Sequence, residues 1–140
     1  MTSVEDLHGA EHVERYVATD GREGHDWRRG APVLLLTTTG RRSGEPRITP
    51  LIYQQHGDAY AVVASKGGSN RPPAWYRNLE ANPAVQVQVK GDRFAARAHT
   101  ATPDEKPELW AKMTSVWPDY DDYQRRTERE IPVVVLERTE

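Results

Sequence analysis

Apolar positions along this chain fall into two rhythms, one of period two and one of period between three and four, separated by short breaks rich in glycine and proline. Pro32–Thr39 carries the run VLLLTTT and is expected to form a strand, with Gly40–Pro46 as a turn after it. Arg47–Gln55 reads as the second strand, with Ile48 and Ile52 on one face and Leu51 and Tyr53 on the other. Gly57-Asp58 closes a second hairpin, and Ala59–Ser65 returns as a third strand. In Ala84–Lys90, AVQVQVK, strict alternation puts Val85, Val87 and Val89 on one face. Gly91-Asp92 turns into Arg93–Thr102, where Phe94, Ala96 and Ala98 alternate with Arg97 and His99, and Ile131–Glu137 is the sixth strand. Helical spacing occurs at His8–Thr19 (Ala10, Val13, Tyr16, Val17) and at Ala74–Ala81, which Asn82-Pro83 ends. It occurs again from Pro103, where Thr102 and Glu105 form a capping-box pattern ahead of the stripe Leu109, Trp110, Met113 and Val116. Trp117–Glu130 is a further, aromatic-bearing helical stretch. Asp20–Gly30 and Lys66–Pro73 read as loops. Six strands with helices interposed late predict an α+β domain on an antiparallel sheet, closed as a barrel.

The 140 residues are expected to form one domain over 1–140, with residues 1–30 a helix plus loop and a flexible N-terminal extension. There is no cysteine, which removes disulfides, thiolate metal sites and cysteine nucleophiles together. The polar N-terminus lacks the apolar core of a secretory signal, and no apolar run approaches the length of a membrane span. The expectation is a cytoplasmic protein, with peripheral membrane contact left open. Charge is uneven: the segment Thr37–Arg77 carries +4 within a chain of net −2. A local positive field on an acidic molecule suits a small anionic ligand and disfavours nucleic acid.

Two constellations could carry chemistry. In TTTGRRSGEPR, Gly40 and Gly44 permit unusual backbone angles, while Arg41, Arg42, Ser43 and Arg47 supply donors that match phosphate or carboxylate oxygens. Solvated arginines on a surface hairpin would have the same composition. In VVASKGGSNRPPAWYRNL, a strand-end lysine, paired glycines and an aromatic helix start suit a planar ring with a charged tail, although Trp75 and Tyr76 could equally be core. His8 and His12 are four apart, but no third ligand lies near them in sequence, so no metal site is expected; His56 and His99 read as surface or rim residues. No Gly-x-Ser-x-Gly elbow is present.

The stretches TTTGRRSG, TPLIY, VVASKGG, PAWYRNL-x-ANP-x-VQVQV and DYQRRTEREIPVVVLE, in this order and spacing, closely resemble the deazaflavin-dependent nitroreductase and quinone reductase family of actinobacteria. The resemblance runs from about His12 to the C-terminus. It implies a split β-barrel of the FMN-binding type and the cofactor coenzyme F-420, an 8-hydroxy-5-deazaflavin with an anionic tail. By the same resemblance Arg41, Arg42 and Ser43 hold the phosphate and the start of the tail, and Arg47 lies along the cofactor. Ile48, Thr49, Pro50, Leu51 and Ile52 line the cofactor, and Val63, Ala64, Ser65 and Lys66 with Ala74, Trp75, Tyr76, Arg77 and Asn78 complete its pocket. Trp117, Tyr120 and Tyr123 face the acceptor, and Tyr120 also touches the cofactor. Many relatives carry lysine where Arg42 stands, a conservative departure. The implied reaction is hydride transfer to a quinone or nitroaromatic, with Ser65, Tyr120, Tyr123 or water as the proton source. A non-catalytic deazaflavin carrier and an FMN-dependent split-barrel oxidoreductase stay open as alternatives, as does the oligomeric state.

Overall fold

The computed structural model describes residues 7–139. The expected N-terminal extension lies outside the described residues over positions 1–6. Four helices and seven strands follow in chain order: α1 (Gly9–Thr19), β1 (Val33–Thr39), β2 (Pro46–Ile52), β3 (Gln54–His56), β4 (Ala59–Val63), α2 (Ala74–Ala81), β5 (Ala84–Val89), β6 (Asp92–Thr100), α3 (Lys106–Val116), α4 (Asp119–Arg125) and β7 (Val133–Arg138). All pairings are antiparallel, and the sheet order is β2-β1-β5-β6-β7-β4-β3.

That order corrects the six-strand expectation. The predicted second strand, Arg47–Gln55, is two strands, and they occupy opposite edges of the sheet. Tyr53 is the break. Its N–H donates to Pro32 O at 3.0 Å, and its hydroxyl lies 2.8 Å from His25 Nε2. The first bond still follows the β2–β1 register, but Pro32 has no N–H to return, so the ladder stops there and Gln54 pairs with Ala61 of β4 instead. One residue separates the two edges, so the sheet curls until they approach each other, giving the split barrel.

The curl sorts the core into two faces. Leu34, Leu36, Val85, Val87, Phe94, Ala96, Val134 and Leu136 pack together inside it, and Trp75 and Leu79 of α2 enter the same cluster. Val33, Leu35, Val133 and Val135 point to the other side, where Leu109, Met113 and Trp117 cover them. β1 and β7 are therefore buried on both faces, which explains their unbroken apolar runs. An eight-residue helix such as α2 is not stable alone, so burial of Trp75 and Leu79 determines where it sits.

Two helix boundaries differ from the sequence reading. The capping box forms, with Thr102 N–H donating to Glu105 Oε1 at 3.0 Å and Glu105 N–H to Thr102 Oγ1 at 3.3 Å, but regular helix starts only at Lys106. The stretch Trp117–Glu130 is helical only over Asp119–Arg125. The Gln124 side chain ends it by donating to Arg129 O at 2.8 Å and accepting from Ile131 N at 2.9 Å, which redirects the chain into β7.

Candidate functional site

A groove runs beside the edge strand β2 and begins at the turn before it. Gly40 N–H donates to Glu45 O and Gly44 N–H to Gly40 O, both at 2.8 Å, and Gly44 adopts φ +74°. Asn78 of α2 ties the turn down. Its Oδ1 accepts from the Arg41 backbone N–H and from Arg41 Nη1 at 3.2 Å each, while its Nδ2 donates to Thr38 Oγ1 at 3.1 Å. The two adjacent arginines therefore differ. Arg41 is anchored, whereas Arg42 and Arg47 are exposed and, among the described residues, have no ion-pair or hydrogen-bond partner. Both line a cavity of about 390 Å³ with Ser43, Ile48, Thr49, Ala74, Trp75 and Asn78.

Thr49 and Trp75 also line a second cavity of about 450 Å³, so the two are one groove. Its far end has walls from Pro50, Leu51, Ile52, Val63, Ser65 and Lys66 on the barrel side and from Trp117, Tyr120 and Tyr123 on the helical side. Trp117 Nε1 donates to the Tyr123 hydroxyl at 3.2 Å, and the Tyr120 and Tyr123 rings meet edge to face at 5.9 Å. Tyr120 is 5% exposed, and burial pushes its phenol well above the ordinary tyrosine value. It stays neutral at physiological pH and is a poor proton donor. Tyr123 is half-buried, and its hydroxyl accepts from Trp117, which leaves its own proton available.

The groove brings together most of the residues singled out from sequence, but not all. Ala64 is fully buried in the inner core. Tyr76 bonds Thr100 Oγ1 at 2.8 Å, and Arg77 is exposed outside the groove. Helical rotation explains the pair: Ala74, Trp75 and Asn78 share one side of α2, and Tyr76 and Arg77 fall on the other. His56 and His99 also lie elsewhere, the first 2.8 Å from Lys112 Nζ and the second beside Glu105.

Sequence reasoning missed the contribution of the segment before β1. Trp27 and Arg28 line the aromatic end of the groove. Trp27 stacks on Trp117 at 5.9 Å and 16°, and the Arg29 guanidinium lies 3.8 Å from the Trp117 ring centre while pairing with Asp119 at 3.1 Å. The available signal was a tryptophan followed by two arginines in an otherwise polar loop. Arg129, whose guanidinium reaches the loop after β4, was missed as well.

The residues present fit a deazaflavin of the expected kind. Partnerless cations converge at one end of the groove, and flat aromatic and aliphatic walls face each other at the other, which are the requirements of an anionic tail and a planar ring. Comparison with known proteins agrees. The family model for F420H(2)-dependent quinone reductase matches residues 9–138. An F420H(2)-dependent quinone reductase of Mycobacterium tuberculosis is 45% identical over 130 residues, covering 91% of this chain and 87% of that protein. Among solved structures, a domain-swapped dimer superimposes with a TM-score of 0.73 at 37% identity, over 91% of this chain and 95% of its own. An F420-H2-dependent reductase superimposes with a TM-score of 0.71 at 39% identity, over 76% of this chain and 94% of its own. A match across nearly the whole chain, with the expected groove in place, shows that this chain belongs to the F420H(2)-dependent quinone reductase family.

Proposed function

We propose that this chain reduces a quinone with reduced coenzyme F-420. The observation that carries the reading is the continuity of the groove through Thr49 and Trp75, from the arginine turn to the aromatic wall. Arg42, Arg47 and Ser43 would hold the anionic tail, with Arg41 held in place by Asn78. Thr49 to Ile52, Val63, Ser65 and Lys66 would flank the ring. When bound, the cofactor supplies a hydride, carbon replacing the nitrogen that allows ordinary flavins one-electron chemistry. Trp117 and Tyr123 then hold a flat acceptor against the ring and keep water from it. A proton completes the quinol. Ser65, Tyr123 and water are its candidate sources, and Tyr120 is disfavoured because donation would leave a buried phenolate. Nitroaromatics are flat acceptors of similar size and would use the same wall.

The test mixes purified protein with reduced deazaflavin and, separately, with FMN, then adds a menaquinone analogue or a nitroaromatic. Expected are deazaflavin binding at micromolar levels or tighter, little FMN binding, and turnover of the quinone. Tight FMN binding without deazaflavin binding would give the flavin alternative. Deazaflavin binding without turnover of either acceptor would give the carrier alternative.

A further inference from the structure

The loop after β4 has an unusual backbone. Ser65 is right-handed, at φ −84° and ψ −39°, and is followed by three left-handed residues: Lys66 at φ 46°, Gly67 at φ 63° and Gly68 at φ 85°. A right-handed residue followed by a left-handed one gathers successive amides into a concavity that suits an anion. Ser65, Lys66 and Gly67 all line the aromatic end of the groove. Among the described residues, no carbonyl takes up their three amides.

Arg129 accounts for that arrangement. Its Nε donates to Ser69 O at 2.7 Å and its Nη2 to Ser65 O at 2.8 Å, and both terminal nitrogens reach Ala64 O at 3.3 Å. One guanidinium thus holds three carbonyls of the loop, two of them consecutive. In a planar trans peptide the N–H points opposite to the C=O, so fixing the Ala64 and Ser65 carbonyls on Arg129 turns the Ser65 and Lys66 amides the other way. Thr127, two residues earlier, hydrogen-bonds Asn70 at 3.0 Å and fixes the far end of the loop. The loop also lies directly against α4. A Cβ on Gly68 would fall 2.6 Å from Tyr123 O, so the three amides sit beside the helix that provides the acceptor wall.

We propose that Arg129 is a positioning residue that presents the Ser65 and Lys66 amides, with the Gly67 amide beside them, to the oxyanion developing on the acceptor. The inference rests on the quinone-reductase reading above. A quinone that gains a hydride, two electrons and one proton, becomes a quinolate anion, and a second proton from solvent or a side chain gives the quinol. Stabilising that anion with preset amides accelerates the step without tightening the binding of the neutral quinone.

Two variants and one probe test it. The probe is a hydroxynaphthoquinone in its anionic form, a quinone with a permanent oxyanion, with neutral menadione as control. In the parent protein without cofactor, the anion is expected to bind about tenfold more tightly than menadione and to shift the amide resonances of Ser65, Lys66 and Gly67. Arg129→Met should abolish that preference, lower kcat for menadione about 100-fold with KM little changed, and weaken deazaflavin binding by much less than it lowers kcat. Arg129→Lys keeps the charge but cannot span three carbonyls, and should stay close to Arg129→Met. The proposal is overturned if the parent shows no anion preference and no shift at these amides, if Arg129→Met keeps kcat within about threefold, or if cofactor affinity falls in step with kcat. Where Arg129→Met does not fold, the resonances of the parent and the kinetics of Arg129→Lys decide. The probe titration needs no cofactor, so a failure to turn over any quinone would count against the functional reading alone.

Discussion

The two ends of the groove are built in opposite ways. The arginine end is one turn, Gly40–Arg47, held by its own backbone bonds and by one side chain from α2. Apart from Arg41, its cations are exposed and, among the described residues, partnerless, so their geometry is completed by whatever anion they meet. The aromatic end joins segments far apart in sequence: Trp27 to Arg29, Ser65 to Gly68, and Trp117 to Arg129. Arg29 and Asp119 meet across 90 positions, and Arg129 and Ser65 across 64. On the proposed function, tail binding would tolerate adjustment because charge attraction is not directional, whereas a hydride acceptor would have to be held in one place. The soft end would then bind, and the rigid end orient.

The sharpest way to break this comparison is one substitution made at both ends. Gly68→Ala must hold alanine at φ 85° with its Cβ 2.6 Å from Tyr123 O, and should cost about 2–4 kcal/mol of stability. Gly44→Ala also meets a positive φ, but with nothing within 4 Å, and should cost only about 1–2 kcal/mol. Urea midpoints compare them, and equal costs would mean the aromatic end is no more tightly built than the turn.

Arg42→Ala comes next. It should weaken deazaflavin binding by about 1–3 kcal/mol and leave the melting temperature unchanged, since Arg42 supports nothing within the fold. Arg41→Ala should weaken binding to a similar extent and also lower stability, because Asn78 loses a partner. Calorimetry showing unchanged affinity in both variants would mean that the turn is only a solvated hairpin.

At the other end, Trp27→Ala removes a stacking partner of Trp117 worth about 0.5–1.5 kcal/mol. We expect a raised KM for the acceptor at unchanged cofactor affinity. A changed cofactor affinity with constant acceptor KM would place Trp27 on the wrong side of the comparison.

Tyr123→Phe removes only a hydroxyl and should keep fold and cofactor affinity while shifting turnover, or the ratio of quinone to nitroaromatic reduction, by a few fold. Identical kinetics on both acceptors would show that this hydroxyl neither donates the proton nor orients the acceptor.

The smallest effect concerns pH. His12 is buried, and its Nε2–H donates to Gly24 O at 2.8 Å, holding the loop that carries Trp27. Burial, reinforced by nearby His8, lowers its pKa from 6.5. The unfolded chain then binds more protons than the folded one near and below pH 6.5, so this contribution to stability is present above that pH and is lost as pH falls. Denaturant titrations at several pH values should show the slope in the parent and a flatter one in His12→Gln. An unchanged slope would place the titrating group elsewhere.

Much of this molecule was legible one window at a time. The helix Ala74–Ala81 and the start of β5 at Ala84 lie where Pro83 and the alternation of AVQVQV put them. The capping box of Thr102 and Glu105 forms as its spacing requires. The arginine turn is equally local, since glycine placement and adjacent charges define it without help from the rest of the chain. Three features were decided by tertiary structure alone. Arg47–Gln55 looks continuous by alternation, and only its partners split it: the pairing with β1 ends opposite Pro32, and Gln54 pairs with Ala61 at the opposite edge. Trp27 sits in a segment with no periodicity, and its role appears only where Trp117 lies under it. Tyr76 and Arg77 adjoin groove residues in sequence, and which side of α2 faces the groove was set only by the burial of Trp75 and Leu79 in the core. Periodicity and turn chemistry act over a few residues and are written in the local sequence. The aromatic end depends on how far the sheet curls before its edges meet, and that curl is set by the packing of the whole core.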